Sequence, residues 1–314
     1  MKIAVAGGTG FVGKVLTETL LQQGHELVLL TRNPEPYRQF SGRMLKAVAW
    51  DGRILNGWER QLESIDAVVN LAGEPIAARR WTAEQKRRIA DSRIFATRAL
   101  VLAIKGVQRK PGILVNASAV GYYGNVPEGE VQETAAAGNG FLAEVCAAWE
   151  REALEAEKAG VRVVLPRIGI VLEQGDGALA KMIPPFRFYA GGPLGSGKQW
   201  MPWIHREDLI RIILFCLSDR CVSGPVNAVA PKPVTMKEFC AGLGKALHRP
   251  NWAPVPGFVL KLILGDMAEM LLGGQQAVPE KLRMLGFKFQ YPFLDDALSA
   301  IFTDLRASGR PNSA

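Results

Sequence analysis

Cysteine and histidine are scarce in this chain, with four and three among 314 residues. Cys146, Cys216, Cys221 and Cys240 form no C-x-x-C pair. With so few histidines beside them they make no zinc cluster, so no metal is expected. Unpaired thiols of this kind read as reduced and buried, the usage of a cytoplasmic protein. Long apolar runs are also missing. Nothing approaches the ~20 residues that span a bilayer. The richest stretch, FVLKLILGDMAEMLL (258–272), is interrupted by Lys261, Asp266 and Glu269 and reads as one or two packed helices. The apolar residues after Lys2 give way at once to glycines, too early for a secretory signal. Internal repeats and low-complexity segments are absent.

The chain is 48% hydrophobic and 22% charged, which excludes a disordered chain and fits a packed one. Its net charge of +8 favours anionic ligands. Much of that charge lies in ARRWTAEQKRRIADSR (78–93), with Arg79, Arg80, Lys86, Arg87, Arg88 and Arg93. No nucleic-acid-binding module accompanies the cluster, so it reads as a solvated helix face or a contact between subunits. The expected partners are a small-molecule substrate and a second copy in a homodimer, with no nucleic acid and no membrane span.

Apolar runs alternate with helical patterns through the first half. Strands are expected at KIAVA (2–6), HELVLLT (25–31), MLKAVAWD (44–51), DAVVNLAG (66–73), GILVNASA (112–119) and VRVVLPRIGIVL (161–172). Helices fall between them at about 10–24, 82–104 and 141–158. Runs rich in Val, Ile and Leu with little alternation mark parallel strands buried on both faces. The rhythm predicts an α/β fold, a doubly wound parallel sheet of Rossmann type with a smaller, mostly helical C-terminal domain. The first domain is expected over 1–172 plus about 203–230, and the second over 173–202 and 231–314.

Directly after the first run comes GGTGFVG, in which Gly7, Gly10 and Gly13 have the spacing G-x-x-G-x-x-G. Between a strand and a helix this spacing suits a dinucleotide's phosphates. It gives a tight turn, an approach free of Cβ and a close helix–sheet packing, with the helix N-terminus facing the anion. The second strand ends Leu30-Thr31-Arg32-Asn33-Pro34. An NAD site carries an acid there for the ribose 2′-hydroxyl. Arg32 instead matches a 2′-phosphate through forked, charge-assisted hydrogen bonds, so NADP is the expected cofactor.

These pieces together resemble the extended, epimerase-like branch of the short-chain dehydrogenase/reductase superfamily. GGTGFVG resembles its glycine loop, Asn70-Leu71-Ala72-Gly73 its strand-four motif, SAVGYYG (118–124) its strand five, and WIHREDL (203–209) the segment returning to the first domain. More narrowly the chain is similar to a subgroup labelled epimerase family proteins. NLAGEPIAARRW (70–81), GGPLGSGKQWMPWIH (191–205) and LLGGQQAVPEKLRMLGFKF (271–289) are its marks, the last in a C-terminal domain of unknown function. The resemblance implies further cofactor contacts at Thr9, Phe11, Val12, Asp51, Leu71, Ala72 and Ser118. It also implies a Tyr-x-x-x-Lys pair at the start of the helix after strand five. That stretch reads GNGFLAEVCAAWE, with Phe141 and Val145 at the two positions, and none of the five tyrosines has Lys four residues later. Two readings stay open. In one, an NADP-dependent epimerase-like oxidoreductase has moved its acid–base chemistry to Tyr122 or Tyr123, assisted by Ser118 and by Lys181 or His205. In the other, the protein is a catalytically degenerate NADPH-binding regulator, redox sensor or assembly or cell-division-related factor.

Overall fold

The apolar runs become Lys2–Ala6 (β1), Glu26–Thr31 (β2), Leu45–Ala49 (β3), Ala67–Asn70 (β4), Ile113–Asn116 (β5) and Arg162–Ile168 (β6). An edge strand follows at Gly224–Ala228 (β7). These belong to a computed structural model that describes residues 1–38 and 44–307. The strand order is β3-β2-β1-β4-β5-β6-β7. Pairing is parallel from β3 through β6, with Ala6 opposite both Leu30 and Asn70, and Asn70 opposite Asn116. This is the doubly wound nucleotide-binding arrangement. Ile3, Val5, Val68, Val69, Leu114 and Val115 are fully enclosed, as strands covered on both faces must be.

Helices Phe11–Gln22 (α1), Ala83–Gly106 (α2) and Phe141–Leu154 (α3) follow β1, β4 and β5. Helix α2 begins where the Thr82 hydroxyl accepts from the Gln85 amide at 3.1 Å, a side-chain N-cap. Leu100, Ile104, Trp58 and Leu62 pack with Val68 and Leu114 on one face of the sheet.

The chain divides into two compact units, 1–122 with 137–167 and 210–226, and 123–136 with 168–209 and 227–314. The second unit thus takes in 123–136, a segment with no apolar periodicity of its own. There Val126–Val131 pairs in parallel with Gln275–Ala277, so the tail is not wholly helical. The run 161–172 is broken at Gly169. A Cβ at Gly169 would stand 2.4 Å from the Pro202 carbonyl oxygen, and beyond it Ile170–Leu172 pairs instead with Trp203–His205. The second unit's core gathers Trp203, Phe186, Phe239, Leu243 and Leu298. Stretch 258–272 forms helices Gly257–Leu264 and Glu269–Leu272, of which Phe258 and Leu262 are exposed. The cysteines are free, three buried and Cys221 exposed.

A layer of polar side chains is buried at the ends of β4 and β5. Asn70, Thr97 and Asn116 are all 0% exposed. Asn70 Nδ2 donates to Thr97 Oγ1 at 3.0 Å and to Asn116 Oδ1 at 2.7 Å. The Thr97 hydroxyl donates to Asn116 Oδ1 at 3.2 Å and accepts from Trp149 Nε1 at 2.8 Å. Asn70 Oδ1 then receives the Ala72 amide at 3.1 Å. Two strands, two helices and the loop after β4 are fixed to one another by these bonds. Thr97→Val keeps the shape and removes the hydroxyl, leaving Trp149 Nε1 without its acceptor. The expected loss is about 1–3 kcal/mol, read from the shift of the urea midpoint at unchanged slope.

Candidate functional site

Because the strands are parallel, the loops after β1, β2, β3, β4 and β5 leave from one edge of the sheet, the edge at which open α/β sheets bind ligands. Gly7 turns the chain off β1 with φ +75°, and a Cβ there would stand 2.6–2.7 Å from the Leu71–Ala72 backbone. A Cβ at Gly13 would stand 2.1 Å from the Gly7 carbonyl oxygen, so this glycine lets α1 pack against the loop. Gly10 differs from both. A Cβ there would meet only that same oxygen, at 3.4 Å, an ordinary contact. Gly10 has extended φ −82°, and α1 starts from it with no side-chain cap. The fold does not require a glycine here, whereas a diphosphate lying on the helix N-terminus does. The loop therefore fits a dinucleotide cofactor.

Thr9 is exposed and Phe11 and Val12 are partly so. Arg32 follows β2 at an exposed position and makes no ion pair among the described residues. Asp51 follows β3, where its Oδ1 accepts the amides of Arg53 (2.8 Å) and Ile54 (3.2 Å), closing its own loop. The amide of Leu71 donates to the Ala6 carbonyl at 2.9 Å, which holds Leu71 and Ala72 beside the glycine turn.

After β5 the candidate catalytic residues part company. Ser118 is 2% exposed and its hydroxyl donates to Glu150 Oε1 at 2.6 Å. Arg167 grips the same carboxylate, Nε to Oε1 and Nη2 to Oε2, both at 2.8 Å. This bidentate pair is almost wholly enclosed. The Arg167 guanidinium carbon lies 3.5 Å from the centroid of the Tyr122 ring, and Tyr122 itself is only partly buried. Ser118, Glu150, Arg167 and Tyr122 are thus one assembly. Tyr123 lies in the other unit, buried, with its hydroxyl donating to Asn227 Oδ1 at 2.6 Å. Glu150 went unnoticed in the sequence. Its only signal there is a carboxylate placed on the same helical face as Cys146 and Ala143.

The position of the missing tyrosine is filled. The Phe141 ring packs edge-on against Trp81, centroids 5.2 Å apart, and the Lys86 ammonium lies 5.5 Å from its centre. Val145 is buried. Of the basic cluster, Arg79, Arg80, Arg87 and Arg88 are exposed, but Arg93 turns inward. Its guanidinium lies 5.3 Å from the Trp149 ring centre, and burial lowers its pKa from the usual arginine value. Burial likewise pushes the Cys146 thiol up to about 11, outweighing the nearby Arg93 charge, so this cysteine is no nucleophile at neutral pH.

In the second unit, His205 Nδ1 accepts the Glu207 amide at 3.2 Å and the ring stacks on Tyr291, centroids 3.9 Å apart. Burial depresses its pKa, outweighing the nearby carboxylates of Glu173, Glu207 and Asp208. The loop 191–200 is anchored by Gln199 Nε2, which donates to the carbonyls of Leu194 and Leu271, each at 2.8 Å. Among the described residues there is no group of side chains that could hold a metal ion, and no helix is long and apolar enough to cross a membrane.

Residues 3–227 match the family model described as the NAD dependent epimerase/dehydratase family, and residues 255–301 match a domain of unknown function, DUF1731. The chain is 43% identical over 306 residues to the chloroplastic epimerase family protein SDR39U1 homolog of Arabidopsis thaliana, covering 96% of this chain and 86% of that one. It is 40% identical to epimerase family protein YfhF of Bacillus subtilis, covering 97% and 99%. The crystal structure of human epimerase family protein SDR39U1 with NADPH superposes with a TM-score of 0.86 at 35% identity, over 97% of this chain and all of that one. A UDP-glucuronic acid 4-epimerase from Bacillus cereus, solved with UDP-glucuronic acid and NAD, has a TM-score of 0.78 at 17% identity, a likeness of fold alone.

The glycines separate fold from ligand in a simple comparison. Gly13→Ala is expected to cost about 1–3 kcal/mol of stability through overpacking. Gly10→Ala should cost less than about 1 kcal/mol yet abolish dinucleotide binding. Denaturation and calorimetric titration of the two variants check both halves.

Proposed function

Because the chain belongs to the NAD dependent epimerase/dehydratase family, we propose that it is an NADP(H)-dependent oxidoreductase acting on a small-molecule substrate, with Tyr122 as its acid–base group in place of the absent Tyr-x-x-x-Lys pair. The carrying observation is the Arg167 guanidinium, held by Glu150 at 2.8 Å and lying 3.5 Å from the Tyr122 ring centroid. A fixed cation against the ring of a tyrosine that follows β5 supports this reading, because the usual pair likewise sets a cation beside its tyrosine.

The nicotinamide, when bound, supplies or accepts a hydride. Gly7, Gly10, Gly13 and the N-terminus of α1, with Thr9, Phe11 and Val12, would hold the diphosphate. Leu71 and Ala72 would meet the ribose, Asp51 the adenine, and Arg32 the 2′-phosphate. The NADPH in the human relative supports this last assignment, as does the lack of an acid between Leu30 and Pro34. Tyr122 holds and moves the proton at its hydroxyl oxygen. Ser118 keeps Glu150 oriented toward Arg167, and Tyr123, through Asn227, holds the chain immediately after Tyr122.

The rival reading, an NADPH-dependent regulator without turnover, draws on one observation: Phe141 and Val145 leave neither proton nor charge where the pair belongs. Transfer of deuterium from C4-deuterated NADPH to a panel of carbonyl compounds and nucleotide sugars separates the two. On the enzyme reading, Tyr122→Phe lowers turnover by about 10²–10⁴-fold with NADPH affinity unchanged. Tight NADPH binding without transfer to any substrate favours the regulator. Arg32→Ala should weaken NADPH by about 1.5–3 kcal/mol, the worth of hydrogen bonds to a charged group, and leave NADH almost unaffected. Equal losses for both cofactors would make Arg32 structural.

A further inference from the structure

Arg167 and Arg93 both turn toward the interior of the first unit near the ends of β5 and β4, with different partners. Arg167 has both oxygens of Glu150. Arg93 has two carbonyls, with Nη1 donating to Glu74 O at 3.0 Å and Ile89 O at 3.1 Å. Among the described residues its Nε and Nη2 meet no acceptor and no carboxylate lies within ion-pairing distance. A guanidinium stays charged in a protein, and Arg93, partly buried, keeps N–H groups that no acceptor among the described residues takes up. The Trp149 ring, 5.3 Å from the guanidinium carbon, adds a cation–π contact to one side of it.

The place of this charge is informative. Gly7 abuts the backbone of Leu71 and Ala72, and the next residue, Gly73, lies against Arg93. A Cβ on Gly73 would stand 3.0 Å from the guanidinium carbon and 3.2 Å from Nη2. The last residue of Asn70-Leu71-Ala72-Gly73 therefore makes room for a cation at the C-terminal end of β4, beside the glycine turn. Nη1 is fixed by the two carbonyls, so the group is oriented in advance. A planar donor fork with open N–H groups suits the paired oxygens of a phosphate or carboxylate.

We propose that Arg93 is an anion-binding residue, receiving a phosphate or carboxylate group of the ligand held at this edge of the sheet. Its placement beside a cofactor rests on the dinucleotide reading above. The anion has two candidate sources, the cofactor's diphosphate and an acidic substrate, and the same chemistry serves both.

Calorimetric titration of wild type, Arg93→Lys and Arg93→Gln distinguishes them. Each protein is titrated with NADPH, and with inorganic phosphate and citrate in the absence and presence of saturating NADPH. Arg93→Gln should weaken at least one of these by about tenfold or more, as expected for a lost charge-assisted bond, with Arg93→Lys intermediate. Loss confined to NADPH assigns the cofactor's diphosphate. Loss of phosphate or citrate binding to the NADPH-saturated protein assigns an acidic substrate. If every affinity in folded Arg93→Gln stays within about twofold of wild type, the proposal is overturned. Should Arg93→Gln not fold, Gly73→Ala, which crowds the guanidinium without removing it, is titrated in the same way, and unchanged affinities again overturn it. Wild type that binds phosphate through Arg93 but no NADPH would sink the cofactor reading alone.

Discussion

Everything at the ligand edge depends on the hydrogen bonds among Asn70, Thr97, Asn116 and Trp149. They are buried below the loops, and Asn70 Nδ2, Thr97 Oγ1 and Trp149 Nε1 all donate within the group. Buried polar groups satisfied in this way fix one geometry, because any slip strands a donor in a medium of low dielectric. Asn70 passes that order upward through the Ala72 amide to the segment facing Gly7. The glycine turn, the Leu71–Ala72 floor and the Gly73–Arg93 contact are thus stacked on a single rigid layer, which is what a preorganised site requires.

The helix that has Phe141 and Val145 where the usual tyrosine and lysine belong supplies a different set of polar parts. Phe141 packs against Trp81 and Val145 is buried. One to two turns on, Trp149 joins the buried layer and Glu150 binds Ser118 and Arg167. Helix α3 therefore couples the structural layer to the assembly under Tyr122. A charge kept inside is costly unless paired, and Glu150 with Arg167 forms such a pair. The unit can then place a cation against Tyr122 without leaving that cation unpartnered. The result is a family scaffold that carries a glycine loop of dinucleotide-binding spacing and has Phe141 and Val145 where the usual tyrosine and lysine belong.

Much of this was legible in the sequence. The parallel strands announced themselves as unbroken apolar runs, and GGTGFVG and Arg32 fall at the ends of two of them. Other features were hidden because they are set by tertiary contact. Arg93 sits in a basic run whose arginines are otherwise exposed, and nothing local marks it as the one that turns inward. Glu150 looks like any helical carboxylate until Arg167, seventeen residues away, is brought beside it. The break at Gly169 depends on the approach of Pro202, and residues 126–131 become a strand only because 275–277 pair with them. The two adjacent tyrosines could not be ranked from spacing. Burial and the bond to Asn227 separate Tyr123 from Tyr122.

The central claim is that this rigid edge is an NADP(H) site. The most direct measurement is calorimetric titration of the unaltered protein with NADPH and with NADH under one buffer and salt. The account predicts that NADPH binds more tightly by about tenfold or more, the value of a charge-assisted contact to the extra phosphate. Equal affinities for the two, or no binding of either, would contradict it.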